Sequence, residues 1–327
     1  MVQLRPLGRT GFRIAPLVLG GNVFGWTCDR ETSFRVLDAF VARGFNLIDT
    51  ADVYSRWVPG HAGGESETIL GEWIRRRGRH DDVLIATKVG SDLGLGHVCL
   101  RREHLLAAVE DSLRRLGVDC IDLYQSHWVD KDTPVEETLA AFQTLIEQGK
   151  VRAIGASNHR APRLRAALDA ARAHGLPAYQ TLQPPCNLMQ RAEFEGELAA
   201  LCQQENLGVI GYYGLASGFL TGKYRTATDA RGRARGDAVQ KLFALPQAGA
   251  VLAALDAVAN RHAATPAQVA LAWVMARPGI TAPIASATSV AQLEELAGAA
   301  ALTLDPDDLA ALDAASTPPS ATPAPGA

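Results

Sequence analysis

The chain has 327 residues, is 47% hydrophobic and 20% charged, and carries a formal net charge of -3. The apolar share supplies a large core, and the balanced charge without a basic run argues against a nucleic-acid or membrane-surface partner. No apolar window reaches the roughly 20 residues of a membrane span, and the first residues hold no signal-like stretch. Five scattered cysteines without a C-x-x-C pair suit reduced thiols in a cytoplasm rather than disulfides or a bound metal.

Along the chain, the stretch 4–14 contains two short runs around Gly8 and Gly11 and reads as a hairpin. Strands are expected at 15–20, 46–49, 83–88, 121–125, 153–156, 181–182, 207–212 and 280–284. They are continuous apolar runs, as in strands buried on both faces. Between them, apolar spacings of three and four mark helices, for example at 65–77, 102–116, 134–148, 162–174, 193–205 and 266–276. Thr133-Pro134 and Thr265-Pro266 read as an N-cap followed by proline at the first helical position. Gly117, Gly149, Gly175 and Gly208 stand where helix ends need a left-handed residue. Residues 226–238 are polar and rich in Gly and Arg, and read as a long loop after the seventh strand.

Eight strand–helix units predict an α/β fold of the (β/α)8 TIM-barrel type, with the hairpin plugging its bottom. The barrel is expected to occupy residues 1–316 as a single domain. The Pro/Ala/Ser-rich residues 317–327 are expected to be a disordered tail.

In such a barrel the ends of the strands build the active site. Asp49 closes the second strand, Tyr54 follows five residues later, Lys88 closes the third and His127 follows the fourth. An ammonium about 4 Å from a phenol, at an effective dielectric of roughly 20, favours the phenolate by about 4 kcal/mol. That could lower the phenol pKa by up to roughly 3 before desolvation opposes it. Asp49 would hold Lys88 charged, Tyr54 would act as general acid, and His127 would orient a carbonyl oxygen. Each residue alone is ordinary: a turn aspartate, a rim tyrosine, a salt-bridge lysine, a buried histidine. The chemistry lies in the set.

The Asp-x-x-x-x-Tyr run with Lys88 and His127 resembles the catalytic tetrad of the aldo-keto reductase family. The resemblance extends from Leu17-Val18-Leu19-Gly20-Gly21-Asn22 through Gly155-Ala156-Ser157-Asn158 to Gln292-Leu293-Glu294-Glu295. The string 215–224 is similar to the bacterial and channel-subunit-like branch. The resemblance implies NADPH-dependent reduction of an aldehyde or ketone. It implies further that Ser157, Asn158 and Gln183 hold the nicotinamide carboxamide and that Tyr212 stacks on the ring, although the adjacent Tyr213 competes for that role. Leu215, Ser217, Lys223 and Arg235, among the arginines of 231–235, would line the pyrophosphate. Thr288, Gln292 and Glu295 would meet the adenosine end. No Lys or Arg occurs from Thr281 onward. Since 2'-phosphate recognition usually recruits a cation, NADH is also expected to serve.

Asn22, Phe24 and Trp26 after the first strand, with Trp57 and Trp128, are expected to form an aromatic-walled substrate pocket, and residues 55–64 a specificity loop. A small carbonyl compound is thus the expected partner. The alternative is a nucleotide-sensing subunit with little turnover. A barrel isomerase or hydrolase suits the cofactor strings less well.

Overall fold

A computed structural model describes residues 2–317. A two-stranded antiparallel hairpin comes first, β1 (Arg5–Pro6) and β2 (Arg13–Ile14), with Arg5 opposite Ile14. Eight parallel strands follow: β3 (Val18–Gly20), β4 (Leu47–Asp49), β5 (Leu84–Val89), β6 (Ile121–Ser126), β7 (Val151–Ser157), β8 (Thr181–Gln183), β9 (Gly208–Gly211) and β10 (Ala282–Ala285). They close in sequence order into a barrel, with β10 hydrogen-bonded to both β9 and β3. Closure leaves no free strand edge. This is the expected (β/α)8 architecture, and each strand lies within about two to three residues of its expected position.

The outer layer comprises α1 (Arg30–Ala42), α2 (Glu65–Arg77), α3 (Arg102–Leu116), α4 (Val135–Glu147), α5 (Ala161–His174), α6 (Glu197–Gln204), α7 (Gly236–Phe243), α8 (Ala248–Arg261), α9 (Pro266–Met275), α10 (Val290–Gly298) and α11 (Pro306–Ser316). A large apolar cluster lies between strands and helices. It includes Phe40, Trp73, Tyr124, Phe142 and Trp273. A second, smaller cluster fills the barrel itself: Val18, Leu47, Ala86, Leu123, Ala153, Ile210 and Ala282, joined by Leu7, Phe12 and Ile14 of the hairpin. The hairpin therefore does plug the bottom.

That plug explains one departure from the sequence reading. Gly208 is not a helix terminator. It opens β9, and a Cβ there would stand 2.6 Å from Leu7 Cδ1 and 2.8 Å from the backbone nitrogen of Gly8. Only a bare α-carbon lets the hairpin press on the strand. The left-handed residue after α6 is Asn206 (φ 50), whereas Gly117, Gly149 and Gly175 do take positive φ as expected. Thr265 caps α9 through a reciprocal box with Gln268. Thr133 does not act as a cap: its hydroxyl donates to Asp130 at 2.7 Å, and Pro134 takes the capping position. The segment 226–238 is not wholly loop, because it holds a short 3-10 turn at Ala227–Ala230 and the start of α7.

No single helix among the described residues is long and apolar enough to cross a membrane. The expected tail, beyond Thr317, lies outside the described residues.

Candidate active site

Strand register brings the expected residues together. Asp49, the last residue of β4, pairs with Ala86 of β5. Lys88 lies two residues further along β5, so period-two alternation sends it to the same inner face. Its ammonium donates to Asp49 Oδ2 at 2.7 Å, to the Thr50 carbonyl at 2.8 Å and to the Tyr54 hydroxyl at 2.9 Å. Tyr54 in turn donates to Asp49 Oδ2 at 3.3 Å. His127 follows β6, with its backbone N–H bonded to the Val89 carbonyl and its ring 6.0 Å from that of Tyr54. All four side chains therefore meet at the C-terminal mouth of the barrel.

The electrostatics differ from the sequence expectation in one respect. The Tyr54 phenol is not made acidic; burial first, then the Asp49 carboxylate, push its pKa well above the ordinary value. The reason is that Lys88 is one half of a fully buried ion pair. Asp49, the other half, also faces the phenol and cancels much of the ammonium's field. Burial lowers the Lys88 pKa and Asp49 opposes that effect. Burial and the Lys88 charge together hold His127 well below its usual range, so its ring is neutral at neutral pH.

Sequence reasoning missed Ser91. Its hydroxyl lies 2.9 Å from His127 Nδ1. The available signal was a polar residue one step past Gly90, which turns the chain with φ 96 at the end of β5. Where the Ser91 hydroxyl donates to Nδ1, the neutral ring carries its proton on Nε2.

Ser157, Asn158 and Gln183 lie beside this group and are linked to it. Gln183 donates to Asp49 Oδ1 at 2.8 Å, and Ser157 donates to the Gln183 carbonyl at 2.9 Å. Asn158, held at φ 59, donates to the His127 carbonyl and accepts from the Tyr212 hydroxyl, both at 2.8 Å. Tyr212 packs against the apolar filling of the barrel, whereas Tyr213 is 47% exposed. Of the two tyrosines, Tyr212 is the one hydrogen-bonded to the group around His127.

Beyond β9, Ala216, Ser217 and Gly218 take left-handed conformations in succession (φ 46, 59 and 90), just after Leu215. Such a run turns backbone N–H groups toward one side and suits an anion. A Cβ on Gly218 would stand 3.2 Å from Lys223 Nζ, so the bare α-carbon lets the ammonium rest against the run. Thr288 and Gln292 are bonded to each other at the start of α10, where Ser289 supplies the cap. Glu295 is partly buried on the same helix, and its carbonyl accepts from Gln268.

One residue departs from its expected surroundings, and two make contacts the sequence did not show. Phe24 is fully buried in the outer core, with Ser55 donating to its carbonyl, so its ring does not line the mouth. Asn22 is engaged by Ser286 at 2.7 Å, on the side of the rim where β10 ends. Arg235 has its guanidinium 5.3 Å over the Trp26 ring and also bears on Tyr54, Tyr213 and Tyr224. The tryptophans do surround the tetrad. Trp26 meets Trp57 edge-on at 5.5 Å, Trp57 lies 6.1 Å from Tyr54, and Trp128 stacks on His127 at 5.9 Å.

Comparison with known proteins agrees with this geometry. The model of the aldo/keto reductase family matches residues 16–317. The chain is 34% identical to an uncharacterized oxidoreductase YrpG of Bacillus subtilis, covering 94% of each chain. It is 33% identical to the aldo-keto reductase YhdN of the same organism, over 89% of this chain and 85% of that one. A probable voltage-gated potassium channel subunit beta of Arabidopsis thaliana is 31% identical over 90% of each. A closed eight-stranded barrel and a family match across nearly its whole length together establish that this chain belongs to the aldo/keto reductase family, as an oxidoreductase of its bacterial and channel-subunit-like branch.

Proposed function

We propose that this protein reduces an aldehyde or ketone to an alcohol with NADPH, that NADH also serves, and that Tyr54 is the proton donor. The observation that carries this reading is the contact of one phenol with both members of a buried ion pair. Tyr54 lies 2.9 Å from Lys88 Nζ and 3.3 Å from Asp49 Oδ2.

When bound, the reduced nicotinamide supplies a hydride to the carbonyl carbon. The chain's own residues do the rest. Tyr54 enters the reaction protonated, because burial and Asp49 hold its proton in place. As charge develops on the carbonyl oxygen, Tyr54 passes its proton to that oxygen. The phenolate left behind is stabilised by the Lys88 ammonium. Lys88 thus acts on the product of proton transfer rather than on the resting acid. Neutral His127 offers its Nε2 proton to the same oxygen and orients it, with Ser91 fixing the tautomer. The aromatic wall of Trp26, Trp57 and Trp128 limits water at the reacting carbon.

Ser157, Asn158 and Gln183 are proposed to hold the nicotinamide carboxamide, and Tyr212 its ring. The supporting observation is that these residues are tied directly to Asp49 and His127. Leu215, Ser217, Lys223 and Arg235 are proposed to hold the pyrophosphate, supported by the left-handed run, the ammonium against it and the unpartnered Arg235 guanidinium. Thr288, Gln292 and Glu295 are proposed for the adenosine end. Thr288 and Gln292 bring no cation to a 2'-phosphate.

The test is titration of purified protein with NADPH and with NADH, followed by cofactor oxidation with a panel of aldehydes and ketones. The reading expects binding of both cofactors, with affinities within about tenfold, and carbonyl-dependent oxidation. Tight binding with no turnover on any carbonyl would replace the reductase with a nucleotide-binding protein.

A further inference from the structure

Among the described residues, four large apolar side chains are about half exposed: Trp57, Leu95, Trp128 and Tyr213. Single exposed apolar residues are ordinary on a protein surface, but these are not scattered. All four stand on segments that follow strands at the C-terminal end of the barrel, after β4, β5, β6 and β9. Tyr213 packs on Tyr212, on the side proposed for the cofactor. The other three come from three consecutive strands, and two of them begin at the reacting groups. The Trp57 ring lies 6.1 Å from that of Tyr54, and the Trp128 ring 5.9 Å from that of His127.

Leu95 is the member the sequence did not single out, and its setting is built rather than loose. Asp92 Oδ1 accepts from the Gly94 and Gly96 N–H groups at 2.8 and 2.9 Å, which wraps the chain around Leu95. Gly94 and Gly96 take φ 110 and 78, a backbone that a side chain would strain. At one end of this loop Ser91 meets His127 Nδ1 at 2.9 Å. Along its side, the Arg56 guanidinium donates to the Asp92 carbonyl and lies 3.8 Å from the Asp92 carboxylate. A Cβ on Gly63 would stand 2.7 Å from Leu93 Cδ2, so the two loops also touch there. The loop of Leu95 is therefore fastened to His127 and to the loop of Trp57. Arg56 and Asp92 offset each other, so neither adds a free charge beside the leucine.

A half-exposed leucine held on an ordered turn leaves apolar surface in water. A ligand that covers it together with the two indoles removes that surface. Because the indoles start at Tyr54 and His127, the occupant that fits is the non-reacting end of a molecule whose carbonyl meets those two groups. We propose that Leu95 is a specificity residue and that, with Trp57 and Trp128, it forms a ledge for an unbranched apolar chain on the substrate, so that the preferred substrates are medium-chain aliphatic aldehydes or ketones. This rests on the reductase reading and narrows its substrate class. Each methylene laid on the ledge adds binding that persists in the transition state, so KM falls with chain length while kcat stays nearly constant.

The experiment compares butanal with octanal in the wild type, Leu95→Ser and Leu95→Met. It also measures the mass in solution by sedimentation, and the binding of unreactive butanamide and octanamide to the protein–NADP+ complex. The wild type is expected to favour octanal in kcat/KM by about tenfold or more, mostly through KM. In Leu95→Ser octanal loses about fivefold, whereas butanal, too short to reach the leucine, changes by less than about twofold. Leu95→Met keeps the preference, since it conserves apolar volume. Three results would overturn the proposal. One is a wild type indifferent to chain length. Another is a Leu95→Ser variant in which both aldehydes change alike. The third is a Leu95→Ser variant that turns a dimer into a monomer with its chain-length preference intact, which would make the ledge a contact between copies of this chain. If no carbonyl is turned over, the reductase reading fails by itself. The amides then decide: octanamide binding that exceeds that of butanamide and depends on Leu95 sustains the ledge, and any other outcome removes it.

Discussion

The ammonium of Lys88 touches Tyr54 and Asp49 at once, 2.9 Å from the phenolic oxygen and 2.7 Å from the carboxylate. Both charged partners are removed from water. Losing one of a buried pair leaves the other uncompensated, which costs about 3–5 kcal/mol. Lys88→Met is therefore expected to lose about that much stability in urea unfolding. A double variant that adds Asp49→Asn should regain most of it, since no buried charge is then left over. Equal losses in the single and double variants would count against the pair being mutually dependent.

Ser91 is expected to matter through His127 rather than by touching substrate. Ser91→Ala removes one hydrogen bond worth about 1 kcal/mol, so kcat/KM should fall several-fold. The distinguishing measurement is the nitrogen NMR spectrum of His127. In the wild type it should report a neutral ring protonated on Nε2, and in Ser91→Ala a mixture of tautomers. An unchanged spectrum would reduce Ser91 to a packing residue.

Acid sensitivity should come in part from His159. This ring is buried, its Nδ1 lies 2.9 Å from the Ser157 carbonyl, and burial pushes its pKa down to about 4 from the ordinary 6.5. Between those values the unfolded chain binds a proton that the folded chain does not. Stability is therefore intact above pH 6.5 and falls as pH drops through the window, by about 3 kcal/mol at its lower end. His159→Gln should lose less stability between pH 7.5 and pH 5 than the wild type does. Parallel losses in the two proteins would remove His159 from the account.

Much of this was legible in the sequence, for physical reasons. Continuous apolar runs declare strands buried on both faces, and a charged or phenolic residue at the end of such a run has few places to go except the mouth of a barrel. Asp49, Tyr54, Lys88 and His127 stand out on that ground. What was not legible depends on enclosure and on distant contacts. The pKa direction of Tyr54 depends on how completely the site is buried and on the Asp49 carboxylate facing the phenol as well as Lys88. The role of Gly208 depends on Leu7 and Gly8, about 200 residues away in the chain. The burial of Phe24 depends on how the segment after β3 folds back onto Ser55. Nothing in the sequence ties Arg235 to Trp26, whose ring lies 5.3 Å beneath its guanidinium.

The most direct measurement is the rate of a single turnover with saturating NADPH and a reducible aldehyde, in the wild type and in Tyr54→Phe. The substitution removes one oxygen atom and leaves the ring beside Trp57. Loss of a positioned general acid is expected to slow the step by about 10²–10⁴-fold while NADPH still binds. A Tyr54→Phe protein that reduces the aldehyde within a factor of about two of the wild type would contradict the assignment of Tyr54 as the proton donor.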